Sequence, residues 1–337
     1  MCVSPIIPLY RGWMPEKQKS GPYVMLDSIN LRSNWRIIVV VSFTGIAAPA
    51  MASITAFASR WIGLLCSSIV LAISVVGGYL WMPNRLIGHV ALYQVLTMAS
   101  KISFGGPLSY FFLADDSCLP GGPQFSYKFF ITVTGIVGAA VSLVTVFIYQ
   151  WLFSTWKFRN VLIFTSCLAG LGGIFDFLIV KRYNLAMGIP DAVFFLIGND
   201  VLESITTMLY WIPSSSIIGK VCPKGMEAGT FAYLAGVSNF ARMVSTILGA
   251  WLAEVFGVKS GTDTTNQVCN WDALPWLLLG GHVLLPLVVS LFAAFLIPNK
   301  GQRDDLLVPP PLPQDTETIS DAEMGFDDQL PEDDFTL

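Results

Sequence analysis

Four long segments of the chain contain no charged residue, and each is rich in apolar side chains. They run from Ile37 to Ser59, from Trp61 to Asn84, from Phe129 to Trp156 and from Ala273 to Asn299. Each is longer than the roughly 20 apolar residues that an α-helix needs to cross a hydrocarbon core roughly 30 Å thick. The segments therefore predict membrane-spanning helices. A soluble enzyme is excluded, since only 12% of the 337 residues are charged, about half the usual share in soluble domains.

Four further segments are long and apolar but contain charged residues. They cover residues 88–113, 160–180, 192–218 and 228–257. The predicted fold is therefore an all-α membrane protein with about eight transmembrane helices, two of them within residues 37–81 and six within 86–297.

The distribution of Lys and Arg predicts the orientation, because short cytoplasmic loops are enriched in both. If residues 1–36 form a cytoplasmic segment, 12 of the 19 basic residues lie on the cytoplasmic side and 5 on the other. We therefore expect a multi-pass protein, of the plasma membrane, with both termini in the cytoplasm.

Residues 298–337 differ from the rest, since they hold 11 of the 23 acidic residues and 2 of the 19 basic ones. They are also rich in proline and poor in core-forming residues, which predicts a disordered acidic cytoplasmic tail. Without this tail the remaining 17 basic and 12 acidic residues give a net charge of +5.

Two cysteines, Cys118 and Cys269, fall in predicted external loops. They are the cysteines that an oxidising compartment would reach. A disulfide and two free thiols both remain open, because the sequence does not determine the distance between the two sulfurs.

Charged residues inside a span cost roughly 2.5–3.5 kcal/mol each on insertion scales, so they usually face a cavity or a partner. Five lie in predicted spans: Lys101, Asp176, Asp200, Glu203 and Arg242. Asp200 and Glu203 are three residues apart, which places them on one α-helical face, and Pro213 opens the backbone further along the same helix. This face is predicted to line a water-filled site.

A second signal of a cavity follows Lys101, where residues 103–107 read Ser-Phe-Gly-Gly-Pro and are expected to break the helix. In transporters such discontinuous helices lie at the substrate site. Lys101 or Arg242 is therefore expected on the same cavity as the carboxylates. Alternatively, Lys101 pairs with Asp176 or Asp200 in a purely structural role.

The five central charges comprise two cations and three carboxylates, which leaves one carboxylate without a cation. Desolvation disfavours its ionised form, so it is a candidate proton carrier. Asp200 and Glu203 are favoured over Asp176 because their helix is rich in polar residues, and a permanently protonated structural carboxyl is the alternative. His89 and His282 are interpreted as packing residues. We expect no metal, no cofactor, no nucleic-acid partner and no enzymatic activity.

Residues 222–228, Cys-Pro-Lys-Gly-Met-Glu-Ala, are followed by Phe-Ala at 231–232 and Leu-Ala-Gly at 234–236. This block resembles the hallmark of the folate-biopterin transporter family of the major facilitator superfamily. Supporting matches are Gly-Ile-Pro-Asp at 188–191 and Gly-Gly-Pro at 105–107, and Phe-Ser-Tyr at 125–127 is similar to a motif of the kinetoplastid pteridine and folate permeases. The resemblance covers about residues 86–297.

The resemblance implies a proton-coupled carrier of folates or pterins with two six-helix halves, of which residues 86–297 would form the C-terminal one. We expect a truncated form, or a second chain that supplies the missing half. The alternatives are a non-transporting remnant or assembly partner, and a carrier of another organic anion. In a carrier, Asp200 or Glu203 would accept the adjacent N–H donors of a pterin ring, while Lys101 or Arg242 would meet an anionic group.

The loop of the hallmark block is assigned to gating and assembly rather than to substrate contact. Cys222 precedes Pro223, which stops the helix, and Lys224 is followed by Gly225, which permits a tight turn. Glu227 begins the next helix, where the helix dipole favours an anion.

Overall fold

The computed structural model describes residues 35–82, 84–222, 227–260, 269–304 and 306. Its helices are α1 (Trp35–Phe57), α2 (Arg60–Trp81), α3 (Arg85–Ser100), α4 (Gly105–Leu113), α5 (Lys128–Phe153), α6 (Phe158–Val180), α7 (Tyr183–Ala186), α8 (Asp191–Val221), α9 (Glu227–Val255) and α10 (Leu274–Leu296). Two short strands, β1 (Lys259–Ser260) and β2 (Cys269–Asn270), pair antiparallel with Ser260 opposite Cys269. The prediction of an all-α membrane protein is confirmed.

Within these ranges, six helices are long and apolar enough to cross a membrane: α1, α2, α5, α6, α8 and α10. The two other predicted spans have a different character. Residues 88–113 form a broken pair, because α3 ends at Ser100 and α4 begins at Gly105. Helix α9 has 29 residues and contains Arg242 and Glu254, and at about 1.5 Å per residue it is longer than a bilayer core is thick.

Several helices contain π-helical segments, in which each backbone hydrogen bond spans one residue more than in an α-helix. They occupy Lys128–Val133 and Tyr149–Phe153 of α5, Leu196–Leu202 of α8, and Leu279–Leu284 of α10. Such a segment changes the phase of the side chains that follow it. Helix periodicity in the sequence does not reveal this change.

Helices α1 and α2 pack against α9 and α3 and share one apolar core with them. Met51 of α1, Leu71 of α2 and Val237 of α9 are buried there, and the Tyr233 hydroxyl donates to the Ser74 carbonyl at 3.0 Å. The two helices that precede the expected six-helix half therefore belong to the same packed body. On the other side of α3, α6 packs between α8 and α10.

The chain remains packed on the helices beyond the tail boundary expected at residue 298. The Phe158 amide donates to the Lys300 carbonyl at 3.2 Å, and the Gln302 side chain donates to the Phe153 carbonyl at 2.8 Å. Leu306 is buried in the core that α1, α2 and α9 share. The boundary of the tail, expected at residue 298, is therefore too early, because Lys300 and Gln302 form hydrogen bonds with residues where α5 meets α6. Residues 307–337 lie outside the described residues, as do residues 1–34 of the expected N-terminal segment.

The opposite end of the helices contains the predicted external loops. The sulfurs of Cys118 and Cys269 are bonded there, across 151 residues of sequence. In the first loop, Asp115 accepts hydrogen bonds from the Ser117 hydroxyl at 2.7 Å and the Cys118 amide at 3.2 Å. The Ser117 bond is the main reason why the pKa of the Asp115 carboxyl is lowered.

The Gly-Ile-Pro-Asp segment at residues 188–191 also lies at this end, and its aspartate, Asp191, accepts hydrogen bonds from two side chains. Arg182 donates to both carboxylate oxygens of Asp191, at 2.8 and 3.0 Å, and also to the Gly121 carbonyl. Asn184 adds a third bond to Asp191 at 2.7 Å. The start of α8 is thereby tied to α7 and to the loop that contains Cys118.

Candidate functional site

The predicted helix break occurs at residues 101–104, and other elements satisfy the backbone groups that it frees. The Ser245 hydroxyl of α9 donates to the Lys101 carbonyl at 2.5 Å and accepts from the Ser103 amide at 3.1 Å. His282 Nε2 of α10 lies 3.0 Å from the Ile102 carbonyl oxygen. Backbone groups without partners are costly at membrane depth, so these contacts allow the break to exist there.

Two glycines allow the neighbouring helices to come this close. A Cβ atom at Gly249 of α9 would overlap the Ser103 carbonyl oxygen, and one at Gly173 of α6 would lie 2.7 Å from the His282 carbonyl oxygen. Any side chain at either position would push the helices apart. Both positions therefore require glycine for packing.

The break opens on a cavity of about 350 Å³ between α4, α5, α6, α8 and α10. This volume lies within the range of small-molecule sites. Aromatic walls come from Phe104, Phe112 and Phe130. The polar residues on the cavity are Lys101, Ser103, Ser109, Asp176, Asn199, Glu203, Thr206 and His282.

Lys101 and Glu203 are opposite charges on this cavity, and they attract one another electrostatically. In the described part of the chain, Lys101 forms no ion pair with Asp176, Asp200 or any other carboxylate. The alternative of a structural pair with one of those two aspartates is therefore not what the structure shows. A ligand with both an anionic and a hydrogen-bond-donating group could bind between Lys101 and Glu203.

Asp200 does not share this surface, although it was expected on the same face as Glu203. Glu203 lines the cavity, whereas Asp200 is not among its lining residues. The expectation assumed α-helical geometry, but Asp200 lies in the π-helical segment Leu196–Leu202, where the phase of the side chains differs from that of an α-helix. The two carboxylates still interact electrostatically. Asp200 Oδ2 is buried without a hydrogen-bond partner among the described residues.

Lys101 or Arg242 was expected on the cavity, and Arg242 does not line it, although its charge acts on Lys101. Arg242 is exposed on α9 and has its Nη2 3.9 Å from the Met98 sulfur. Of the two candidate cations, Lys101 is the one on the cavity.

The sequence interpretation missed the partner of Asp176. Its Oδ2 lies 2.8 Å from His282 Nδ1, and both side chains are largely buried, at 12% and 23% exposure. His282 was interpreted as a packing residue because a lone histidine in a membrane span is more often hydrogen-bonded packing than a ligand. The signal that could have found the pair is the spacing of small residues, with Gly173 one helical turn before Asp176 and Gly281 directly before His282.

The hallmark block is described only at its borders. Cys222 is buried directly after α8, and its amide donates to the Ile218 carbonyl at 3.2 Å. Pro223, Lys224 and Gly225 lie outside the described residues. Glu227 begins α9, and its side chain is also outside the described part.

A broken helix and three π-helical segments surround a polar cavity within a set of apolar helices. Together they define a multi-pass integral membrane protein with a ligand-sized polar site. The sequence matches the model of the BT1 family over residues 28–308, and the chain belongs to that family. The match begins before the two helices that precede the expected half, so the resemblance is confirmed and extends further than residues 86–297.

Named relatives agree with this family. The chain is 30% identical over 234 residues to "Probable folate-biopterin transporter 6" of Arabidopsis thaliana, covering 69% of this chain and 42% of that protein. It is 30% identical over 152 residues to "Folate-biopterin transporter" of Synechocystis, covering 45% and 29%, and 22% identical over 165 residues to "Folate transporter 1" of Plasmodium falciparum, covering 49% and 30%. The chain thus spans less than half the length of these relatives. No solved structure matches it.

Proposed function

We propose that this protein carries folates or pterins across a membrane, with protons as the coupling ion. The observation that carries the proposal is the cavity at the α3–α4 break, which Lys101 and Glu203 both line together with three phenylalanine rings. The names of the relatives support the substrate class.

The chemistry of the cavity suits a pterin. The ring presents a ring N–H and an amino group side by side, and an ionised carboxylate such as Glu203 accepts two parallel bonds from such a pair. A flat heteroaromatic ring also packs well against Phe104, Phe112 and Phe130. The proposal places the ring at Glu203.

Lys101 then provides the preference for an anion. Folates have glutamate carboxylates, whereas biopterin has no anionic group, so Lys101 would contribute to folate binding and little to biopterin binding. Asp200 and Arg242, which the sequence also suggested for substrate contact, are not assigned this role because they lie off the cavity.

The orientation is part of the proposal. The end that includes Lys157, Lys220 and the packed residues 298–304 and 306 would face the cytoplasm, and the disulfide end would face outward. The distribution of basic residues supports this direction. Placement in the plasma membrane is proposed with it, as is a second chain or further segment that completes the carrier.

The test is uptake of radiolabelled folic acid and radiolabelled biopterin by cells that lack their own carrier. Glu203→Gln should reduce uptake of both by about tenfold or more, the equivalent of about 1.4 kcal/mol or more. Glu254→Gln is the matched control, because Glu254 pairs with Arg60 at an exposed site away from the cavity, and it should stay within about twofold of the wild type.

Three outcomes would contradict the proposal. A surface-expressed protein that transports neither compound, alone or with a complementing half, would indicate a non-transporting membrane protein. Uptake of an unrelated organic anion in their place would indicate a different carrier. Equal losses in Glu203→Gln and Glu254→Gln would remove the cavity from the mechanism.

A further inference from the structure

The Asp176–His282 pair connects the cavity to the broken helix, and its hydrogen bonds determine how many protons it holds. His282 Nε2 lies 3.0 Å from the Ile102 carbonyl oxygen, while Nδ1 lies 2.8 Å from Asp176 Oδ2. A carbonyl oxygen can only accept a hydrogen bond, so Nε2 has a proton and donates it. The state of Nδ1 then depends on Asp176.

Two arrangements satisfy the second contact. If Asp176 is ionised, it can only accept, so Nδ1 must also be protonated and the ring is an imidazolium. If Asp176 is protonated, its hydroxyl donates to an unprotonated Nδ1 and the ring is neutral. In both arrangements the pair has a net charge of zero and one proton more than an aspartate beside a neutral histidine.

Loss of that proton would break the geometry. With the remaining ring proton on Nε2, Nδ1 and the carboxylate would face one another as two acceptors at 2.8 Å; with it on Nδ1, Nε2 and the Ile102 carbonyl oxygen would do so at 3.0 Å. Either way one of the two contacts is lost, and the cavity wall gains a net negative charge. The imidazole would have to turn or withdraw, which would disturb its bond to the Ile102 carbonyl. A protonation change in the pair is thus transmitted to the helix break.

Together with the other charges on the cavity, the protonation state of the Asp176–His282 pair determines the net charge that a ligand meets. Lys101 comes from the break, Glu203 from α8 and Asp176 from α6, and the charge of Glu203 acts on both Lys101 and His282. With the pair protonated, these four groups sum to zero. With the pair deprotonated they sum to −1, which opposes an anionic ligand at Lys101.

We propose that Asp176 and His282 together hold the coupling proton of this protein, and that their shared proton links occupancy of the cavity by an anionic ligand to the position of the α3–α4 break. Binding of the anion favours the protonated pair, and by linkage protonation favours binding. His282 is a positioning residue in this scheme, because it acts on the ligand through the break. The inference rests on the proposed carrier function.

The first experiment separates coupled from uncoupled movement of radiolabelled folic acid in proteoliposomes that contain the full chain, together with the complementing half if that is required. One assay measures accumulation driven by an inward proton gradient, and the other measures exchange of labelled for unlabelled folic acid at uniform pH. Exchange requires no net proton movement. Asp176→Asn and His282→Gln should therefore reduce accumulation by about tenfold or more while exchange stays within about threefold.

His89→Gln is the matched control, since His89 is the other histidine of the chain and packs beside Tyr79 near the start of α3. It should leave both assays unchanged. Accumulation at the wild-type level in Asp176→Asn or His282→Gln would overturn the proposal.

A second experiment measures protonation of the pair directly and does not depend on transport. It tests the proposal even if a variant loses exchange as well as accumulation. In the His89→Gln background one imidazole remains, and its ¹⁵N resonances report which ring nitrogens are protonated. Nε2 should stay protonated from about pH 5 to about pH 8, and adding Asp176→Asn should shift the pH response of Nδ1 by about one pH unit or more. An identical response with and without Asp176 would overturn the proposal. Failure of the wild type to move folic acid would refute the carrier function and leave this test of the pair standing.

Discussion

The α1–α2 hairpin and the region around the α3–α4 break use polar side chains in opposite ways. In α1 and α2, hydroxyls bond within their own helix, as Thr44 does to the Val40 carbonyl at 3.2 Å and Ser74 to the Val70 carbonyl at 2.8 Å. Around the break, Ser245 and His282 reach to backbone groups of a different element. The hairpin would therefore keep its backbone bonds without its neighbours, whereas the break depends on them.

The hairpin and the break region also differ in their charged residues. Helices α1 and α2 have no charged residue between Arg36 and Arg60 or after Arg60, whereas the break region holds Lys101, Asp176 and Glu203. Irregular backbone and charge occur together because each requires partners that lipid cannot supply. The following predictions test this division, from the largest expected effect to the smallest.

The disulfide should be the largest single stabiliser of the break region. It joins the loop after α4 to the strand before α10 and closes 151 residues, for which a loss of about 2–4 kcal/mol is typical. Cys118→Ser and Cys269→Ser should each lower the thermal midpoint in detergent by the same amount. Reductant should lower the midpoint of the wild type and leave both variants unchanged; a wild type that is indifferent to reductant would refute the role.

Gly249→Ala should be the next most damaging change. The added methyl would overlap the Ser103 carbonyl at the break, and overpacking of this kind costs about 1–3 kcal/mol. Gly236→Ala is a control in the same helix, because its Cβ would lie 3.6 Å from Thr44 of α1, an ordinary contact. The thermal midpoint of Gly249→Ala should be lower than that of Gly236→Ala. Equal midpoints would show that the break is no more tightly packed than the contact of α9 with the hairpin.

Lys101→Met should separate the two proposed substrates. Uptake of folic acid should fall by about tenfold, the equivalent of about 1.4 kcal/mol, because its carboxylate loses a cation. Biopterin uptake should fall by about twofold or less. Arg242→Met, a change of the same type off the cavity, should affect both substrates alike; a selective loss of folic acid uptake in that variant would move the anion site to α9.

Ser245→Ala should have the smallest of these effects. It leaves the Lys101 carbonyl and the Ser103 amide without their hydroxyl partner, and interhelical hydrogen bonds in membranes contribute about 0.6 kcal/mol on average and up to about 1.7. Ser74→Ala removes the bond of that hydroxyl to a carbonyl of its own helix and should change stability by less than about 0.5 kcal/mol. If Ser74→Ala lowers the thermal midpoint more than Ser245→Ala, the proposed division between the two regions is wrong.

Much of the site could be predicted from local sequence. The Gly-Gly-Pro segment indicated the break, and charge inside apolar segments indicated Lys101, Asp176 and Glu203. Asp200 was expected on the cavity with Glu203 but does not line it. It lies in a π-helical segment, which changes the phase of the helix, and helix periodicity does not reveal where such a segment occurs. The Asp176–His282 contact joins residues 106 positions apart, and local pattern has no means of pairing them.

The sequence by itself determined the membrane as solvent, six of the eight predicted spans and the family, because apolar length, charge distribution and a short motif are local properties of the chain. The tertiary structure decided which polar groups meet. Arg242 and Lys101 looked equivalent as cations inside spans, but Lys101 faces the cavity, and Arg242 is exposed on α9. The physical reason is that membrane insertion depends on the composition of each segment alone, whereas hydrogen bonds between helices depend on helix rotation and close approach at positions such as Gly173 and Gly249.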